Sequence, residues 1–77
     1  MRLALESENA TALFNLGTAL DQAGDDEGAI QAYRRCLAAD PGVADAHYNL
    51  SLLYQQSGHK LAALMHLKRY RELVATD

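Results

Sequence analysis

The chain has 77 residues, 49% of them hydrophobic and 22% charged, with a net charge of −3 and an isoelectric point near 5.4. This length admits one small domain whose core alone gives marginal stability, and the composition is that of a folded soluble protein, not a disordered one. The acidic balance repels phosphate backbones and anionic lipid surfaces, so neither nucleic acid nor a membrane is expected as a partner, and no apolar run approaches the ~18 residues of a membrane span.

The apolar opening "MRLAL" stops at Glu6, too short for a signal-peptide core. From residue 10 onward, Leu13, Leu16, Gly17, Leu20 and Ala23 recur at three- and four-residue steps, which predicts a helix near 10–23. Gly24 can take the left-handed conformation that closes a helix, and Asp25 or Asp26 can cap the next one while favouring its N-terminal dipole. Ala29, Ile30, Tyr33, Cys36 and Leu37 predict a second helix near 26–39, ended where Asp40 precedes Pro41. Leu50, Leu53, Tyr54 and Ser57 predict a third near 44–57; beyond Gly58, Leu61, Leu64, Leu67 and Tyr70 predict a fourth near 60–75. The expected fold class is all-α: four helices forming two antiparallel hairpins.

These elements repeat. Residues 10–43 and 44–77 align without a gap at an offset of 34, pairing Ala10 with Ala44, Ala12 with Ala46, Asn15 with Asn49, Leu16 with Leu50, Gln22 with Gln56, Gly24 with Gly58, Ala29 with Ala63 and Arg35 with Arg69. A fixed period held over a whole unit is the mark of a helical repeat array. "LALESENA" sits one period before "LAADPGVA", so residues 3–6 read as the last turn of an earlier helix, and the chain as an excerpt of a longer array. Gly17, Ala29 and Ala63 are expected where the helices of a hairpin cross. Ala29→Leu should therefore cost on the order of 1–3 kcal/mol by overpacking.

Helix pairs of this period, carrying "NLG", "AG", "AIQAY" and "DP", resemble the tetratricopeptide repeat family. In the first repeat Leu13, Leu16, Gly17, Leu20, Ala29, Tyr33 and Pro41 fill the family's signature sites, with Cys36 where alanine is usual. In the second, His47, Leu50, Ser51, Tyr54, Ala63 and Leu67 are the counterparts, while Tyr70 replaces a small residue and Ala75 the proline. Tyr70 is therefore expected on a terminal helix with more room beside it than an internal one has.

The resemblance implies a non-enzymatic protein-interaction module that holds a partner segment in a concave groove. Thr11, Asn15, Thr18 and Gln22 lie at helical spacing on a side away from Leu13, Leu16 and Leu20, and Asp45, Asn49, Leu52 and Gln56 repeat that side. Asn and Gln offer both donors and an acceptor, so they pair with a peptide backbone whatever its sequence. Asn15 and Asn49 occupy the position from which family members hold backbone amides. Phe14 and Tyr48 add apolar area, expected first as packing between neighbouring first helices and second as groove lining. Phe14 and Thr18 stand where the family's carboxylate clamp needs lysine and asparagine, so clamp-type binding is disfavoured.

Other chemistry is thin. Cys36 is the only cysteine, which excludes an internal disulfide and suits a reducing, cytoplasmic setting. At an alanine site in a helix interface its thiol should have a raised pKa and no nucleophilic role. His47, His59 and His66 are twelve and seven residues apart, and read as unconnected. "DDE" at 25–27 is a helix start, "HLKRYR" at 66–71 an exposed basic face, and no phosphate-binding glycine loop occurs. No metal, cofactor or catalysis is expected.

A second expectation is self-association. Residues 1–45 hold eight acidic and three basic groups, residues 46–77 two and four, an asymmetry that permits end-to-end docking. Leu64, Leu67, Tyr70, Leu73 and Val74 form the face that would contact another copy or the rest of an array.

Overall fold

A computed structural model describes residues 9–75; the helical remnant expected over residues 3–6 lies outside the described residues. Four helices follow one another: α1 Ala10–Gln22, α2 Asp26–Ala39, α3 Ala44–Gln56 and α4 Lys60–Val74. Each expected helix is present, with ends within two residues of the sequence reading, and the described residues contain no strand.

The boundaries have local causes. The Asn9 side chain accepts from the amides of Thr11 and Ala12 at 2.9 and 3.2 Å and starts α1. Of the two aspartates that could cap α2, Asp25 does so, accepting from Gly28 N at 3.0 Å. Gly24 and Gly58, one period apart, hold φ of +85° and +83°, the left-handed geometry that closes each hairpin. Asp40 is extended at φ −148° before Pro41, and its carboxylate accepts from Gly42 N at 3.0 Å to shape the α2–α3 turn.

α1 packs on α2, α3 on α4, and α2 joins the two hairpins by packing on α3. The core is one cluster of Leu13, Ala29, Tyr33, Cys36, Ala46, Leu50 and Leu53, with Phe14, Leu20, Ile30, Leu37 and Tyr54 against it. Small residues mark the crossings: Gly17 is buried, Ala29 wholly so, and Ala63 nearly so. A β-carbon on Gly17 would lie 2.7 Å from Cε1 of Tyr33, closer than such contacts allow. Ser51 occupies the equivalent place in the second hairpin, where Leu67 replaces Tyr33.

Tyr70 stands where Cys36 stands one period earlier. Cys36 is fully buried, whereas Tyr70 is half-buried with its ring 5.1 Å from that of Tyr48. The larger side chain thus sits on the outermost described helix, with the room expected of it.

Candidate functional site

α1 and α3 carry the ten residues read as a groove. Thr11, Asn15, Gln22, Asp45, Tyr48, Leu52 and Gln56 are exposed, and Phe14, Thr18 and Asn49 are half-buried. Three of them, Thr11, Phe14 and Asp45, line one shallow cleft of 160 Å³ together with Ala10, Asp40 and Val43.

Thr18 and Asn49 meet through a residue that the sequence reading treated only as packing. Asn49 Nδ2 donates to Tyr33 Oη at 3.1 Å, and Tyr33 Oη lies 3.0 Å from Thr18 Oγ1. Thr18 gives its single hydroxyl hydrogen to the Phe14 carbonyl at 3.1 Å, so Tyr33 must donate to Thr18. The chain of donors runs from α3 through α2 to α1. It holds the Asn49 amide in place and satisfies a tyrosine that is 0% exposed. Tyrosine, not phenylalanine, at position 33 was the one sequence signal for this hub.

Phe14 and Tyr48 differ from expectation. Their ring contacts run across their own hairpins: Phe14 lies 5.5 Å from Tyr33 on α2, and Tyr48 lies 5.1 Å from Tyr70 on α4. The reason is that each second helix offers an aromatic partner within reach. Tyr48 and Leu52, one turn apart on α3, remain 40% and 41% exposed beside Asn49.

The histidines require a correction as well. His47 and His66 were read as unconnected because neither spacing fits one turn of a single helix, but the antiparallel pairing of α3 and α4 sets their Nδ1 atoms 3.0 Å apart. His47 Nε2 faces the Pro41 carbonyl at 3.2 Å and must donate to it, which leaves His47 Nδ1 as acceptor and His66 Nδ1 as donor. The ring centroids are 5.2 Å apart and the rings are tilted by 32°. Burial, then the proximity of His47 and Arg34, holds His66 below the ordinary imidazole pKa. The His66 ring also stacks on Tyr54 at 5.6 Å. Among the described residues, no group of three or more His, Cys, Asp or Glu side chains could hold a metal ion.

Cys36 is 0% exposed, and burial, aided by Asp40, raises its thiol pKa. On the face read as self-associating, Leu64 and Val74 are 62% and 54% exposed, while Leu67, Tyr70 and Leu73 are half-buried. No described helix is long and apolar enough to cross a membrane.

Comparison with known proteins gives three likenesses. A family model described as a TPR repeat matches residues 19–58. The chain is 36% identical over 64 residues to a peroxisomal targeting signal receptor of Yarrowia lipolytica, an alignment spanning 83% of this chain and 11% of that protein. Its fold is similar to that of a MamA mutant, with a TM-score of 0.79 and 34% identity over 84% of this chain and 47% of the other. The chain therefore spans about a tenth of the receptor and under half of the MamA chain.

Proposed function

Because the chain belongs to the tetratricopeptide repeat family, a fold that serves protein–protein interaction, we propose that it holds a polypeptide segment of a partner along the side shared by α1 and α3. The observation that carries this reading is the setting of Asn49. Its amide is fixed by Tyr33, and two large apolar side chains, Tyr48 and Leu52, stand in water beside it at 40% and 41% exposure. A fixed polar group flanked by exposed apolar area suits an extended segment, whose backbone pairs with amides and whose side chains cover the hydrophobes. Asn15, Gln22 and Gln56, all exposed, extend the polar stripe. The Yarrowia relative is by name a receptor for a targeting signal, which supports capture of a short segment here. The module acts by binding, without catalysis or cofactor, and the buried lone thiol of Cys36 suits the cytoplasm.

Magnitude limits what two repeats achieve. At about 0.5–1.5 kcal/mol net per hydrogen bond, two Asn contacts fall well short of the roughly 8 kcal/mol of a micromolar complex. Tyr48 and Leu52 must supply the rest. The test is selection of a binder from a random-peptide display library, followed by titration of that peptide. Asn15→Ala should weaken it about two- to tenfold, and Leu52→Ala at least as much. Affinity unaltered by both changes would remove this side from the binding site.

A second reading is favoured by Leu64 and Val74, 62% and 54% exposed on α4. In it the chain is a structural piece, the end of a longer array or a regulatory module, whose chief contact is with itself.

A further inference from the structure

Equivalent residues of the two first helices differ in burial. Ala46, Leu50 and Leu53 of α3 are 0%, 0% and 2% exposed, packed into one cluster with Tyr33 and Cys36 of α2. Their counterparts 34 positions earlier, Ala12, Leu16 and Ala19 of α1, are all exposed, Leu16 at 46%. The stripe of α1 is apolar like that of α3, with Ala19 in place of Leu53, and it lacks the covering helix that α2 provides for α3.

The other side of the same interface is duplicated too. Ile30 and Tyr33 of α2 belong to the packing that covers α3. Their counterparts Leu64 and Leu67 line a notch of 350 Å³ on α4, with Ser51, Gln55, Lys60 and Ala63 around it. Leu67 lacks the ring by which Tyr33 fills the space over Gly17, so the notch stands open. One chain therefore bears an apolar knob of the α3 kind on α1 and an apolar hole of the α2 kind on α4.

We infer that copies of this chain associate head to tail, Leu16 of one copy entering the Leu64–Leu67 notch of the next, in the register that α2 and α3 use within the chain. This rests on the second reading of function and names its partner surface as α1 of another copy, not a second α4. Charge favours the pairing: α4 carries Lys60, Lys68, Arg69 and Arg71 against Glu72, whereas α1 carries Asp21 and no basic residue. A head-to-tail contact uses two different surfaces, so it does not close on a dimer and growth proceeds stepwise.

Sedimentation velocity over a series from micromolar to millimolar chain tests this. The weight-average sedimentation coefficient should climb without a plateau at the dimer. Leu16→Glu and Leu64→Glu both alter exposed side chains, and each variant alone should sediment as a monomer. Mixed in equal amounts they should form a dimer and nothing larger, since one variant keeps the hole and the other the knob. A wild-type chain monomeric at millimolar concentration would overturn this inference and the second reading together. Wild-type-like association of Leu16→Glu would leave self-contact through α4 standing and overturn the head-to-tail register. A mixture that stays monomeric, with both variants helical by circular dichroism, would overturn the register as well.

Discussion

Asn49 Nδ2 donates to Tyr33 Oη at 3.1 Å, and this bond ties the proposed binding face of α3 to the centre of the core. Tyr33 is 0% exposed, so Tyr33→Phe leaves the Asn49 donor and the Thr18 hydroxyl without their shared partner. The expected cost is about 1–3 kcal/mol, read as a lower midpoint in urea unfolding. Combining Tyr33→Phe with either Thr18→Ala or Asn49→Ala should cost less than the sum of the two single changes, because all three break one chain of bonds. A fully additive result would mean that the hydroxyl does not couple the helices. Asn49→Ala should thus perturb stability whatever it does to the proposed binding, which makes Asn15 the cleaner probe of the proposed groove.

Gly17→Ala sets two effects against each other. Alanine gains roughly 1 kcal/mol of helix propensity over glycine, yet its methyl would lie 2.7 Å from Tyr33 Cε1. The ring cannot retreat without breaking its bonds to Asn49 and Thr18, so overpacking of about 1–3 kcal/mol should win. The variant should melt below the wild type, and Ala29→Leu, at a site 0% exposed, should melt lower still. In a Tyr33→Leu background Gly17→Ala should cost less than it does in the wild type, since the ring it overpacks is gone and Ser51 opposite Leu67 shows the same pairing in the second hairpin.

The fold was legible because its signals are local and stated twice. Gly24 and Gly58, Ala29 and Ala63, and two apolar stripes in one register leave little choice but stacked hairpins. Pairings across helices were not legible in the same way. His47 and His66 are nineteen residues apart, and their 3.0 Å contact depends on how α3 and α4 align, which no single-helix spacing reports. The hub at Tyr33 was hidden for a similar reason. Its ring fits the apolar pattern, and its hydroxyl reveals a role only when Thr18 and Asn49 arrive from two other helices. Phe14 and Tyr48 were misassigned because an aromatic on an exposed flank does not declare which neighbour it meets.

Acid should weaken the second hairpin. His66 titrates below 6.5 in the folded chain, through burial first and then His47 and Arg34. The unfolded chain therefore binds more protons between 6.5 and that depressed value, and stability rises with pH across the window. Put the other way, the contribution is complete above 6.5 and is lost as pH falls through the folded value. Melting temperature should be level near neutrality and drop in mild acid, with a shallower drop in His66→Gln. An identical profile in that variant would show that the pair does not carry the effect.

Cys36 reports on the seam between the hairpins. It is fully buried in the cluster that joins α2 to α3, and burial, with Asp40 second, keeps its thiol protonated. Alkylation needs the thiolate and a path to it, so iodoacetamide should react only as fast as the chain opens. The labelling rate should therefore be far below that of the unfolded chain at the same pH. It should rise with urea along the unfolding curve, because exposure of Cys36 requires α2 to leave the core. Gly17→Ala and Tyr33→Phe should each accelerate labelling by the factor that their loss of stability sets, about tenfold per 1.4 kcal/mol. Labelling faster than the stability of these variants allows would mean that the seam opens by itself, with the two hairpins parting before either unfolds.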